Sequence, residues 1–221
     1  MGIGPPPKAR TAGLLCLLIA ALAAAGCLGG KKTEYVTVGA VLSMRGDHPY
    51  PDLHAATGLT IAKDEVNRAG GLLGKQLDII VYDDGGDPER ARELYDSLVE
   101  RGAVAVICSG RGALAAALGE KADPDSVLLV IPTPQGHAYP PPYVHHRSPI
   151  PLDSPGRPAK TLADTYYSVL LQPPRPSSVS AYVGLRALAE AIKGEGSSER
   201  DALVRGLARG GGRASVAEGG E

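Results

Sequence analysis

The sequence predicts an α/β protein built on a doubly wound parallel sheet. Three observations carry that prediction. Short runs of apolar, β-branched residues alternate with helical patterns between residues 35 and 131. Those runs are continuously apolar, as strands buried on both faces are. Gly, Asp and Pro punctuate the joins, and a helix between successive strands is the right-handed crossover of a parallel sheet.

The elements follow in chain order. Lys8 and Arg10 lead into "GLLCLLIAALAAAG", an apolar run too short for comfortable membrane spanning and typical of an export signal. It closes on Ala24, Ala25, Gly26 and Cys27. This ending resembles the lipobox of prokaryotic lipoproteins, which implies a signal peptide over 1–26 and acylation of Cys27. Ordinary signal cleavage or an uncleaved anchor is the alternative. Residues 27–34 form a short polar tether. "YVTVGAVLS" (35–43) reads as the first strand, and a helix follows over 53–69 with Leu59, Ala62, Val66 and Ala69 inward. Gly70 and Gly71 stop it.

"QLDIIVYD" (76–83) is the second strand. Asp87-Pro88 announces a helix, with a carboxylate cap and a proline at the first position. That helix reaches Glu100 and turns Ala91, Leu94, Tyr95 and Leu98 inward. "AVAVIC" (103–108), a small-residue helix (112–122) and "SVLLVI" (126–131) continue the alternation, so 35–136 is the βα core. Residues 137–158 are Pro-rich and read as a loop. Helices over 159–172 and 178–193 follow, the second with Tyr182, Leu185, Leu188, Ala189 and Ile192 as its stripe. Ser197 or Ser198 caps a third helix, "ERDALVRGLAR", and 209–221 reads as a disordered tail.

Composition removes several function classes. There is no Phe or Trp, so an aromatic-stacking nucleic-acid surface is not expected, and a net charge of −1 gives no pull on a polyanion. Cys16 leaves with the signal and Cys27 carries lipid, so Cys108, inside "VAVICSG", reads as a buried structural thiol. No nucleophile–base pair is evident and no catalytic residue is assigned; an enzyme is not expected. His48 with His54 and His145 with His146 lack a third ligand or a shared face, so no metal is expected. "GRGALAA" lacks the third glycine of a dinucleotide fingerprint, and no cofactor is expected. Asp83 and Asp84 read as carboxylates that cap a turn and the following helix.

"NRAGGLLGKQLDIIVYDD", with "VGAVLSMRG", "VAVICSG", "VLLVIPTP" and "YVHHRSP" in the same order, resembles the leucine/isoleucine/valine-binding family of periplasmic solute-binding proteins, which serve branched-chain amino acid ABC transporters. "SSVSAYVGLRALAEAIKGEGSSERDALVRGL" resembles the family's late helices. The resemblance covers roughly 35–160 and 165–208. It implies one lobe of a type I periplasmic-binding-protein fold, with 159–208 returning onto that lobe and the second lobe largely absent around 163–165.

Ligands of such sheets bind beyond the carboxyl ends of the strands. The resemblance places the ligand carboxylate at Ser109, Gly110, Arg111, Gly112 and Thr133, with Ser43 and Arg45 on the rim. Backbone N–H groups after a strand, near a helix N-terminus, favour an anion. Arg111 serves as a carboxylate clamp or is a solvated loop arginine. The expected ligand is an amino acid or similar small carboxylate, bound weakly because one wall leaves it half in water. The implied partners are a transporter permease, or a chain that completes the cleft, and the membrane through the lipid anchor. Location is exported, on the periplasmic or extracellular face. The alternative is an interaction module without ligand, or a decayed remnant.

Overall fold

The computed structural model describes residues 33–45, 53–108, 112–121, 127–133, 144–147, 158–209 and 213–214. Six strands form one sheet: β1 (Tyr35–Leu42), β2 (Gln76–Asp83), β3 (Ala105–Cys108), β4 (Leu128–Thr133), β5 (Val144–Arg147) and β6 (Arg213–Ala214). Their order is β2-β1-β3-β4-β5-β6. The first five are parallel and β6 is antiparallel to β5. The helices are α1 (Leu53–Arg68), α2 (Pro88–Glu100), α3 (Gly112–Lys121), α4 (Pro158–Leu170), α5 (Pro176–Glu195) and α6 (Arg200–Arg209).

The two-residue period of a strand divides β1 between two cores. Val36, Val38, Ala40 and Leu42 join a cluster with α1, α4, α5 and α6. Val41 joins the opposite cluster with Ala91, Tyr95 and Leu98 of α2 and Leu114, Ala115 and Leu118 of α3. The sheet is therefore covered on both faces, which is the doubly wound arrangement expected from continuously apolar strands. Lacking Phe and Trp, the chain fills these cores with Tyr95, Tyr166 and Tyr182 as the bulkiest fully buried side chains. Buried phenols need partners. Tyr95 donates to the Val127 carbonyl at 2.8 Å, and Tyr182 donates to Glu65 Oε2 at 2.6 Å. Burial, reinforced by the bond to Glu65, raises the Tyr182 phenol well above its ordinary range, so it stays a donor at any ordinary pH.

The "NRAGGLLGK" stretch is a clamp between α1 and β2. Asn67 donates through Nδ2 to the Leu77 carbonyl at 2.9 Å and accepts the Leu77 N–H at 2.7 Å. The chain reverses at Leu72–Lys75, whose N–H and carbonyl groups bond reciprocally at 2.8 Å. Gln76 N–H then bonds Glu34, which starts β2 in register with β1.

Four differences from the sequence expectation have physical causes. Residues 144–147, expected inside a Pro-rich loop, form β5, because the exposed edge of β4 supplies the pairing that local composition does not announce. Within the expected tail, Arg213 and Ala214 pair with β5; a two-residue strand has no period to detect. Ala69 is exposed rather than inward, since α1 ends at Arg68 and Ala69 lies in the turn. Helix α5 starts two residues early, with Pro176 at its first turn, and ends on Gly196 in the left-handed conformation, φ 65°. The expected signal peptide, Cys27 and most of the tether lie outside the described residues. Among the described residues no helix is long and apolar enough to cross a membrane.

Candidate ligand-binding site

The strand order reverses direction between β1 and β3. Helix α1, after β1, packs on one face of the sheet; α2 and α3, flanking β3, pack on the other. At such a switch point the loops after the two strands part and leave a crevice at the strands' carboxyl ends. Val41 pairs with Cys108, so β1 and β3 finish level.

The β1 side of this crevice is held by two carboxylates from the end of β2. Leu42 pairs with Asp83, which puts Asp83 and Asp84 beside the β1 loop. Asp84 is 2% exposed and accepts the Ser43 hydroxyl at 2.8 Å and the Gly86 N–H at 2.7 Å. Asp83 Oδ1 accepts the N–H groups of Met44 at 2.9 Å, Gly85 at 3.0 Å and Arg45 at 3.4 Å. Its Oδ2 receives Arg45 Nε at 2.5 Å. Asp87 then caps α2, accepting the Glu89 N–H at 2.9 Å. "DDGGDP" is thus a run of acceptors. Two of them reach back about forty residues to fix the β1 loop, and the third starts the next helix.

Burial pushes the Asp83 carboxyl up. The Arg45 guanidinium and the N–H groups of Gly85, Met44 and Arg45 outweigh it and hold the pKa at about 2, below the ordinary 3.8. A depressed carboxyl adds stability that is complete above the unfolded value and lost as pH falls through the folded one. Stability from Asp83 is therefore expected to disappear between about pH 4 and pH 2. Asp83→Asn should cost about 1–3 kcal/mol at pH 7 and progressively less toward pH 2, read by urea unfolding across that range. Arg45 is 81% exposed, so the ion pair itself contributes little and the backbone bonds supply most of the effect.

The sequence-predicted residues fall as follows. Ser43 is fully buried with its hydroxyl on Asp84, so it braces the wall from behind. Arg45, expected on the rim, pairs with Asp83 at the end of β2, on the side of β1 away from β3. Ser109, Gly110 and Arg111 lie outside the described residues, and Gly112 opens α3 directly after them. Thr133 is the last residue of β4, paired with Arg147. Two participants were missed. Asp83, read as a local cap, bonds across to the β1 loop, and no spacing rule in one sequence announces a partner 38 residues away. His54, in the first turn of α1, hydrogen-bonds through Nδ1 to the hydroxyl of the fully buried Tyr166 and ties α4 to the crevice end of α1. Among the described residues no cluster of three or more His, Cys, Asp or Glu could hold a metal.

Residues 35–154 match the family model described as periplasmic binding protein. No curated protein matches the chain. Similar solved structures include the branched-chain amino acid transporter substrate-binding protein LivJ from Streptococcus pneumoniae, in complex with isoleucine. It is 26% identical, with a TM-score of 0.42, over 47% of this chain and 30% of that one. The leucine-binding protein LivK from Thermotoga maritima is 10% identical, with a TM-score of 0.60, over 78% of this chain and 87% of that one. An ABC transporter substrate-binding protein from Desulfitobacterium hafniense, in complex with Leu, is 13% identical with a TM-score of 0.51, over 79% and 88%. The latter two carry the likeness of fold. The chain spans less than a third of the length of the first of these relatives.

Proposed function

The chain belongs to the periplasmic binding protein family, and from that premise we propose that it is an exported, lipid-anchored solute-binding module for ABC-type uptake or sensing, with an amino acid or similar small carboxylate as ligand. The observation that carries this reading is the change of strand order between β1 and β3, whose strands end level beside a loop that Asp83 and Asp84 fix in place. The ligands named for the relatives, isoleucine and leucine, suggest which solutes to try first. Ser109, Gly110, Arg111, Gly112 and Thr133 are the proposed receivers on the β3 and β4 side, and Ser43 and Arg45 form the β1 side. Acylation of Cys27 would hold the module at a membrane surface, where more than one acyl chain is needed for stable anchoring. A transporter permease, or a chain that completes the cleft, is the proposed partner. We assign no catalytic role.

Ligand-linked stabilisation tests this reading. A ligand at 100 times its dissociation constant adds about 2.7 kcal/mol, which moves the melting point of a domain this size by several degrees. A thermal-shift screen of the purified chain against amino acids at up to about 100 mM, a hundredfold above a millimolar dissociation constant, should show a selective shift with leucine, isoleucine or valine. A cooperative melt that no amino acid or small carboxylate moves would contradict it.

A second reading, an interaction module without ligand, draws on the end of α4. Tyr167, Val169 and Leu171 are 57%, 63% and 77% exposed there, apolar side chains beside the buried Leu162 and Tyr166 of the same helix. A stable dimer of the ligand-free chain in light scattering would favour that reading over the first.

A further inference from the structure

We propose that the amino ends of the strands form the face this protein lays on a lipid surface, with Leu73 and Tyr35 reaching into the interface. This rests on the lipid-anchored reading above and adds which face meets the membrane. Tyr35 opens β1 and pairs with Gln76, so the Leu72–Lys75 turn stands beside it, at the end of the sheet opposite Ser43. Tyr35 is 55% exposed and Leu73 42%, whereas Leu72 is fully buried and holds the turn to the core. Leu73 has φ 52°, in the left-handed region that side-chain-bearing residues rarely adopt; Gly74 beside it takes φ 77° freely. The turn thus keeps an apolar residue in an unfavourable conformation at its solvent-facing tip, and such an outlier points to a use. A phenol, apolar along the ring and polar at its end, suits the headgroup level of a membrane. The charges fit as well. Lys75 neutralises Glu34 at 3.0 Å. Val38 pairs with Ala105, so α2 ends level with Tyr35. There the exposed Arg101, with Arg68 at the end of α1, outnumbers the exposed Glu100, a balance that anionic lipid attracts.

The length of chain before β1 decides which end of the sheet faces the membrane. Eight positions separate Cys27 from Tyr35, so an acylated Cys27 holds Tyr35 within about 28 Å of the lipid. β1 has eight residues and is itself about 25 Å long. For the carboxyl ends of the strands to meet the membrane, the tether would have to lie fully extended along the whole of β1. With the amino ends toward the membrane it is slack. The strand ends that the solute-binding reading gives to the ligand then face away from the lipid.

The sequence contains no Trp, so a single introduced indole reports its own surroundings. The full chain is produced in a bacterial host as three variants, Leu73→Trp, Tyr35→Trp and Tyr167→Trp. Each is reconstituted from the membrane fraction into vesicles of phosphatidylcholine and phosphatidylglycerol, with and without brominated acyl chains. Tyr167→Trp is the control. Its position is 57% exposed and adjoins Tyr166, which bonds His54 in the first turn of α1, at the other end of the sheet. Leu73→Trp and Tyr35→Trp should emit blue-shifted and be quenched by brominated lipid severalfold more than Tyr167→Trp. Quenching of either that is no stronger than that of Tyr167→Trp, in a chain that stays with the vesicles, overturns the assignment and leaves the anchor intact. A chain that mass spectrometry shows without an acyl group on Cys27, and that washes off the vesicles, overturns both. If Leu73→Trp does not fold, Tyr35→Trp decides the matter, because its side chain is exposed at the start of a strand.

Discussion

Gly58→Ala is expected to destabilise the chain by about 3 kcal/mol or more, at the upper end of what overpacking costs. Gly58 sits on α1 where that helix meets α5. A β-carbon there would lie 2.1 Å from the Ser178 carbonyl oxygen, 2.9 Å from its carbonyl carbon and 3.0 Å from its Cα. All three are backbone atoms of a helix, so no side-chain rotation relieves the clash. The two helices must separate, and α5 carries Tyr182, Leu185, Leu188 and Ile192 into the core that α1 shares. Separation would also stretch the Tyr182–Glu65 bond, at present 2.6 Å. A large fall in the urea midpoint, with the slope unchanged, is the expected result. A midpoint within experimental error of the parent would mean that α1 and α5 do not pack as described.

The second large effect is expected at Gly71. Its φ is 77°, and a β-carbon would meet the Lys75 carbonyl oxygen at 2.0 Å. Alanine there pays twice: for the left-handed backbone, about 1–2 kcal/mol, and for displacing the turn that bonds Leu72 to Lys75. Gly74 has the same φ of 77° but nothing within 4 Å of the added carbon. Gly74→Ala should therefore show only the backbone cost, and Gly71→Ala distinctly more. Denaturant unfolding of the two variants side by side measures the difference. Equal losses would show that strain alone, and not the close approach to Lys75, governs the turn.

These positions also show what a single sequence can disclose. Residues 65–88 disclose their own local structure, because helix stop, turn, strand and N-cap each rest on neighbours within a few residues. Asn67, Gly70, Gly71 and Asp87 all act on groups at most ten positions away. The layer order was legible for a related reason: continuous apolar strands joined by helices admit few arrangements. Long-range partners were not legible. Asp83 bonds Met44 and Arg45, and His54 bonds Tyr166 112 residues on, through proximity that only the folded sheet creates. Strand β5 belongs to the same class. His145 and His146 have no strand signature of their own, and the edge of β4 recruits them. For the site, the resemblance named residues following β1 and β3 and at the end of β4. It did not disclose that the side chains of Ser43 and Arg45 both bond carboxylates at the end of β2.

Equilibrium dialysis of the purified chain against leucine, up to tens of millimolar, decides whether the chain binds a small carboxylate solute. Saturable binding to one site is expected, with a dissociation constant near the millimolar range, equivalent to about −4 kcal/mol. A folded chain that binds neither leucine nor any other small carboxylate at those concentrations would contradict it.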